Sequence, residues 1–177
     1  MPRMSTHLLL TGPPGCGKTT VIQNVLELLP ELKVAGFYTQ EIREQGRRTG
    51  FEMVGLSSGQ RVTLASVHST SELRLRRYGI ELSGLDKVVE QELRRATPQL
   101  FVIDEIGKIE LYSQMFIETT SKILDGDVTV LGTVAIRGEG LIQESKLRSD
   151  TEIIGVDDDN RDGLPMRIAD QIRSRMT

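Results

Sequence analysis

The sequence predicts an α/β fold: a mainly parallel sheet with helices on both faces and an antiparallel meander inserted into it. Three observations predict it. Five short apolar runs, at residues 7–11, 34–39, 100–103, 128–134 and 151–156, alternate with segments of helical periodicity. The run Leu100-Phe101-Val102-Ile103 is apolar at consecutive positions, as a strand buried on both faces requires. Two further runs closed by glycine turns, residues 51–56 and 61–65, have the hairpin pattern of an antiparallel insertion.

In chain order, residues 1–6 lead straight into the first strand at 7–11, and a helix follows over 18–29, ended by Pro30. The strand at 34–39 gives way to a polar, glycine-punctuated stretch at 40–50, then to the meander, whose turn is Ser57-Ser58-Gly59-Gln60. Residues 67–80 lack periodicity and read as a loop. Leu85, Val88, Val89 and Leu93 share one face of a helix over 85–96, with Ser83 or Asp86 as cap and Pro98 beyond its end. After the strand at 100–103, Met115, Phe116, Thr119 and Ile123 space a helix over 113–124, which Gly126 stops. Pro165 suits the first turn of a last helix over 166–176. With no internal repeat and no linker composition, residues 1–177 read as one domain.

The connection after the first strand carries the chemistry. Gly12-Pro13-Pro14-Gly15-Cys16-Gly17-Lys18-Thr19 fits G-x-x-x-x-G-K-[ST] between a buried strand and a helix. Glycines let successive backbone N–H groups curl into an anion nest, and the helix beginning near Lys18 and Thr20 aims its own unsatisfied N–H groups at the same point. Lys18 would reach the β- and γ-phosphates, and the Thr19 hydroxyl would ligate Mg²⁺. Cys16, in this loop, is a candidate for alkylation that bound nucleotide blocks.

Ligands of such sheets bind outside the carboxyl ends of the strands. Asp104 follows the apolar run at 100–103 and would hold Mg²⁺, and Glu105 would orient or deprotonate the attacking water. The segment Asp104-Glu105-Ile106-Gly107 also fits the D-x-x-G element of signalling GTPases, so Gly107 joins the candidates. No Asn/Thr-Lys-x-Asp segment occurs to read guanine, which argues against strict guanine specificity. Cations for the transition state come from a pool of Arg137, Arg47, Arg48, Arg148, Arg161 and Lys108. In the loop after the last strand, Asn160 is a candidate for base edges and Arg161 for stacking on a purine; the alternative is a polar turn with its own Asx hydrogen bonds. His7 and His68 have no sequence neighbours that suggest a metal or nucleophile role.

Composition narrows the classes. The net charge of −3 and the sequence pI near 5.5 do not indicate a nucleic-acid binder, so a role with RNA would need a local patch such as Arg74, Arg76 and Arg77. No run approaches the roughly 18 apolar residues of a membrane span. The single cysteine allows no intrachain disulfide, and with no separate apolar leader the chain reads as cytoplasmic. Oligomeric state is not encoded in any pattern here.

These motifs together carry a family resemblance. The loop at 12–19, Gly36-Phe37-Tyr38-Thr39 running on to Gly46-Arg47-Arg48-Thr49-Gly50-Phe51, the segment Val102-Ile103-Asp104-Glu105-Ile106-Gly107-Lys108-Ile109-Glu110, and Asn160-Arg161 resemble a small nucleoside-triphosphatase family typified by thermophile enzymes and a cancer-related nucleoside-triphosphatase. The resemblance spans most of the chain. It implies a three-layer P-loop NTPase fold and slow, Mg²⁺-dependent hydrolysis of ATP, GTP, CTP, UTP or TTP, weaker on diphosphates. It assigns the loop lysine, the metal threonine, the metal aspartate and the glutamate base to Lys18, Thr19, Asp104 and Glu105. One departure stands out. Where the family is expected to have a histidine after the strand at 128–134, this chain has Arg137-Gly138-Glu139-Gly140, so no role of that histidine carries over. Two alternatives remain open: a small nucleotide or nucleoside kinase, and a nucleotide-gated module that binds RNA or a protein.

Overall fold

The computed structural model describes residues 6–177; residues 1–5, read above as part of the lead into the first strand, lie outside the described residues. One nine-stranded sheet forms the middle layer. Its strands are β1 (His7–Thr11), β2 (Val34–Glu44), β3 (Arg47–Gly55), β4 (Arg61–Ser66), β5 (Arg74–Leu75), β6 (Tyr78–Ile80), β7 (Leu100–Ile106), β8 (Thr129–Val134) and β9 (Thr151–Gly155). The spatial order is β5-β6-β4-β3-β2-β7-β8-β1-β9. From β2 to β9 every pairing is parallel, and from β2 outward to β5 every pairing is antiparallel. The five runs read from sequence are therefore the five parallel strands, and the meander extends that sheet at one edge.

Strand periodicity sorts the core into two halves. Leu8 and Leu10 point to one face with Leu100 and Val102, where α1 (Lys18–Leu28) and α5 (Leu164–Met176) contribute Val21, Ile22, Val25, Ile168 and Ile172. Leu9, Phe101 and Ile103 point to the other face. They meet α2 (Leu82–Val88), α3 (Gln114–Asp125) and α4 (Leu141–Leu147) through Leu85, Phe116, Leu141 and Ile142. Both faces are covered, which makes three layers.

The structure corrects several local readings. The hairpin of β2 and β3 runs through most of the stretch at 40–50, closing on Gln45-Gly46 with both residues at positive φ. Residues 67–80 are not all loop: β5 and β6 pair across the turn Arg76-Arg77, with Arg76 at φ 54°. The helix expected at 85–96 starts at Leu82 and changes at Val89 into a π-helical turn, Val89–Arg94. Neither Ser83 nor Asp86 caps it; Asp86 instead accepts from the Ser113 hydroxyl. Ser113 does cap α3, accepting from Phe116 N at 3.0 Å. The helix α4 has no counterpart in the sequence reading.

Two buried polar side chains tie layers together. His7, fully buried, donates from Nε2 to Leu124 O (3.0 Å) and accepts at Nδ1 from Val130 N (3.1 Å), which fixes the neutral tautomer. Burial holds its pKa below the usual histidine value. His68 is an exposed partner of Glu44. The π-helical turn aims Glu92 into the sheet edge, where its carboxylate accepts from Gly36 N, from the N and Oγ of Ser57, and from the N and Oγ of Ser58. Gly36 must be glycine: it sits at φ 119°, and a Cβ there would lie 1.8 Å from Val102 O.

Candidate active site

The shared carboxyl edge of the parallel strands places four chain segments side by side. In sheet order they are the end of β9 with the loop after it, the glycine loop after β1, the end of β8, and the end of β7 with β2 and β3 beyond. The glycine loop curls as its sequence requires. Gly15 and Gly17 lie at φ 79° and 103°, and Gly17 stands at the N-terminus of α1 with no side-chain cap, leaving the helix N–H groups free for an anion. The Lys18 ammonium folds onto the loop itself, donating to Gly12 O (2.7 Å) and Pro13 O (3.2 Å).

The second half of the site meets the first through one contact. Thr19 Oγ1 donates to Asp104 Oδ2 at 2.6 Å, joining the first turn of α1 to β7. Thr133 on β8 donates to the other carboxylate oxygen at 2.7 Å. Burial pushes the Asp104 pKa up, against the pull of the Thr19 and Thr133 hydroxyls, the Thr39 N–H and the Lys18 charge. Thr133 was not among the residues singled out from sequence. It sits near the end of an apolar strand as one more β-branched residue, and only the pairing of β7 with β8 shows what its hydroxyl meets.

Glu105 follows Asp104 across a cis peptide bond and stands half-buried at the cleft wall. Burial and the Asp104 charge push its pKa up, and Lys18 opposes them. Behind it lies a carboxyl to which the sequence reading gave no role. Glu110, only 4% exposed, starts a single 3₁₀ turn, Glu110–Tyr112. Its pKa is pushed well above the ordinary carboxylate value by burial and by the Glu105 charge. The two side chains converge over Gly107, where the place a Cβ would take lies 2.5 Å from Glu105 Oε1 and 2.9 Å from Glu110 Oε2. Gly107 thus makes room for two carboxyls and does not line the cleft, contrary to the phosphate contact expected of a D-x-x-G glycine.

A cleft of about 720 Å³ holds Gly12, Pro14, Gly15, Lys18, Thr19, Asp104 and Glu105 together. Pro13, Cys16, Gly17, Thr20, Asn160 and Arg161 lie outside its lining. Asn160 is spent on its own turn: Oδ1 accepts from Asp157 N (2.9 Å) and Nδ2 donates to Gly155 O (2.7 Å), the Asx alternative. Arg161 pairs with Asp158, and its Cδ lies 3.6 Å from where a Gly17 Cβ would be, so it packs on the loop from the β9 side. Of the arginine pool, Arg48 and Arg137 line the cleft, as does Lys108. Arg148 does not. It is paired with Asp125 and Asp150 beside the start of β9, at the amino edge of the sheet. Arg47 sits on the exposed hairpin end, outside the lining.

The donor set of Thr19 and Asp104 is hard oxygen throughout, a half-exposed hydroxyl on a buried carboxylate, which fits a Mg²⁺ ion. Among the described residues no three His, Cys, Asp or Glu side chains gather into a protein-only metal cage. Mg²⁺ at a phosphate site needs none, because phosphate oxygens and water complete its shell.

Comparison with known proteins agrees on one family. A family described as NTPase matches residues 7–169. The nucleoside-triphosphatase THEP1 of Natranaerobius thermophilus is 38% identical over 97% of this chain and 98% of that protein. Among solved structures, the human cancer-related nucleoside triphosphatase superposes with a TM-score of 0.81 at 38% identity, over 95% of this chain and 97% of the other. THEP1 from Aquifex aeolicus superposes with a TM-score of 0.82 at 29% identity, over 94% and 98%.

Proposed function

The chain belongs to the nucleoside-triphosphatase family, and we propose that its cleft hydrolyses nucleoside triphosphates to diphosphate and phosphate, with Mg²⁺ and with little regard for the base. The observation that carries this reading is the Thr19–Asp104 contact at 2.6 Å, because it brings a phosphate-binding loop and a strand-end carboxylate into one cleft with Glu105 beside them. The loop N–H groups and the α1 terminus hold the β- and γ-phosphates. Lys18 exchanges its two carbonyl partners for phosphate oxygens. Thr19 and Asp104 would hold Mg²⁺, which when bound neutralises phosphate charge and polarises the γ-phosphoryl group. Glu105 orients the attacking water and takes its proton, with Lys108 and Arg137 among the further cations that line the cleft. Arg161 flanks the loop on the opposite side, where a base would lie, and contacts it without reading its edges. Loose base preference is supported by the absence of a guanine-reading tetrapeptide and by an Asn160 committed to its own turn.

No helix of the described residues is long and apolar enough to cross a membrane. Action in the cytoplasm is part of the proposal, supported by the lone, unpaired Cys16.

The test is phosphate release from ATP, GTP, CTP, UTP, TTP and the matching diphosphates, with and without Mg²⁺, in the wild type and in Lys18→Ala. The expected result is Mg²⁺-dependent release from all five triphosphates, weaker from diphosphates, and loss of both triphosphate affinity and turnover in the variant. Full activity of Lys18→Ala would contradict the reading.

A further inference from the structure

The cleft extends past the place of the attacking water, and it does so on one side. In-line displacement requires the attacking atom and the leaving oxygen on opposite sides of the γ-phosphorus. The β-phosphate, the leaving side, rests on the glycine loop after β1. Asp104 and Glu105 stand on β7, two strands away from β1, and Arg48 and Phe51 stand on β3, two strands further in the same direction. At about 4.8 Å per strand, the loop and the β3 residues flank the reaction centre at similar distances of about 10 Å. The space toward β2 and β3 is therefore the nucleophile's side. A hydrolase needs room there for one water, about 30 Å³. Here the cleft continues past Glu105 to Thr39, Gln40, Arg48, Phe51, Leu75 and Arg76. The cleft's total of about 720 Å³ takes in both the triphosphate's place on the loop and this extension.

That side is also built in advance. The Arg48 guanidinium lies 5.1 Å from the Phe51 ring centroid and 5.9 Å from that of Tyr78. It donates from Nε to the Tyr78 hydroxyl at 3.0 Å and pairs with Glu41 at 3.2 Å. Phe51 and Tyr78 meet edge to face at 5.4 Å, and Arg77 covers the Tyr78 ring as well. A half-exposed arginine held on two rings, a hydroxyl and a carboxylate offers a flat, fixed surface on which a planar ring stacks. Thr39 and Gln40 border it, the Gln40 amide donating to Glu52. Arg76 projects from the β5–β6 turn at φ 54°, with no hydrogen bond or ion pair of its side chain among the described residues. The base beside this space is a carboxylate, which suits an acceptor whose attacking atom is a hydroxyl with a proton to give up.

We propose that the cleft between Glu105 and the Arg48–Phe51–Tyr78 platform is a second substrate site that takes a nucleoside, whose hydroxyl accepts the γ-phosphoryl group in place of water. The proposal rests on the assignment of the loop, Asp104 and Glu105 above. The nucleoside oxygen forms the new bond to the γ-phosphorus, its proton passes to Glu105, and the bond from the γ-phosphorus to the bridging oxygen breaks. Nucleoside diphosphate leaves with the electron pair, and the products are that diphosphate and a nucleoside monophosphate.

The experiment supplies γ-labelled ATP and Mg²⁺ to the full-length protein with each of the four ribonucleosides and four deoxynucleosides, and measures labelled monophosphate and free phosphate together. The expected result is labelled monophosphate from at least one nucleoside, formed faster than phosphate is released at saturating acceptor. Arg76→Gly, which suits the positive φ of that turn, is expected to raise the acceptor KM about tenfold while phosphate release without acceptor stays unchanged. Phosphate release with no labelled monophosphate from any of the eight overturns the proposal and leaves the hydrolase reading standing. Labelled monophosphate with no release to water retains the proposal and removes the hydrolase reading; neither product removes both. An Arg76→Gly variant with an unchanged acceptor KM removes Arg76 from the site and, together with an unchanged KM in Phe51→Leu, overturns the platform assignment.

Discussion

Glu92 and Glu110 are similarly hidden, at 1% and 4% exposure, yet their surroundings move their pKa values in opposite directions. Five donors from Gly36, Ser57 and Ser58 converge on Glu92. Burial alone would raise its pKa, but the hydrogen bonds from Ser58 and Ser57 outweigh burial and hold it below the ordinary value. Glu110 shares its space over Gly107 with Glu105 and has backbone N–H groups as its only opposing influence, so burial and the neighbouring charge keep it protonated to much higher pH. Donor supply, and not depth, decides which buried carboxyl is ionised. The donor-rich one fastens the β3–β4 turn to β2, and the donor-poor group, with Asp104 and Glu105, lies where a cation and a phosphate would complete it.

The comparison breaks most visibly in turnover. Glu105→Gln is expected to lower kcat by about 10²–10⁴, the range for a lost general base, while the affinity for triphosphate is kept. Single-turnover kinetics with a binding isotherm separates the two, and unchanged turnover would remove Glu105 from the chemistry. On the donor-rich side the effect is on stability. Glu92→Gln leaves backbone N–H groups facing an amide that cannot accept from all of them, a loss of about 3 kcal/mol. Thermal unfolding should show this as a fall of roughly 5–10 °C in Tm, with kcat at 25 °C little altered.

A smaller effect is expected at Thr133, which grips Asp104 from β8. Thr133→Val should raise the Mg²⁺ concentration for half-maximal turnover about tenfold, with Tm close to wild type. The smallest effects are in the pH dependence of stability. The folded-state pKa of Glu110 is raised, so its contribution is fully present below the unfolded value near 4.5 and is lost as pH rises through the folded value. Glu110→Gln should therefore gain stability relative to wild type as pH rises above about 5. His7 acts in the opposite direction. Its folded pKa is lowered by burial, so the unfolded chain takes up the proton first and stability falls as pH drops below 6.5. Melting temperatures across that window, for wild type and for Glu110→Gln, check both signs.

What could be read without coordinates follows from how locally each feature is encoded. The glycine loop is eight consecutive residues, and its helix and strand follow from immediate neighbours, so its geometry was legible. Asp104 and Glu105 stood out because the apolar run at 100–103 stops at them, although β7 itself continues through both to Ile106. Glu110 and Glu92 were not, because a glutamate on a short turn or an amphipathic helix reads as a solvated charge. Only the π-helical turn and the convergence over Gly107 turn the two side chains inward. The strands β5 and β6 are two and three residues long and exist through pairing with each other and with β4. The helix α4 is seven residues between Gly140 and Arg148, with no capping side chain and few apolar positions, so its periodicity is too short to register. Arg148 looked like a phosphate cation because sequence distance from β8 says nothing about which edge of the sheet a residue occupies.

The account turns on the donor-poor Glu105 being reactive and the donor-rich Glu92 being structural. The measurement that tests this most directly is kcat for Mg²⁺–ATP hydrolysis and Tm, taken side by side for wild type, Glu105→Gln and Glu92→Gln. The account predicts a collapse of kcat with Tm kept or raised in Glu105→Gln, and a fall in Tm with kcat kept in Glu92→Gln. A Glu105→Gln enzyme that turns over normally, or a Glu92→Gln protein as stable as wild type, would contradict it.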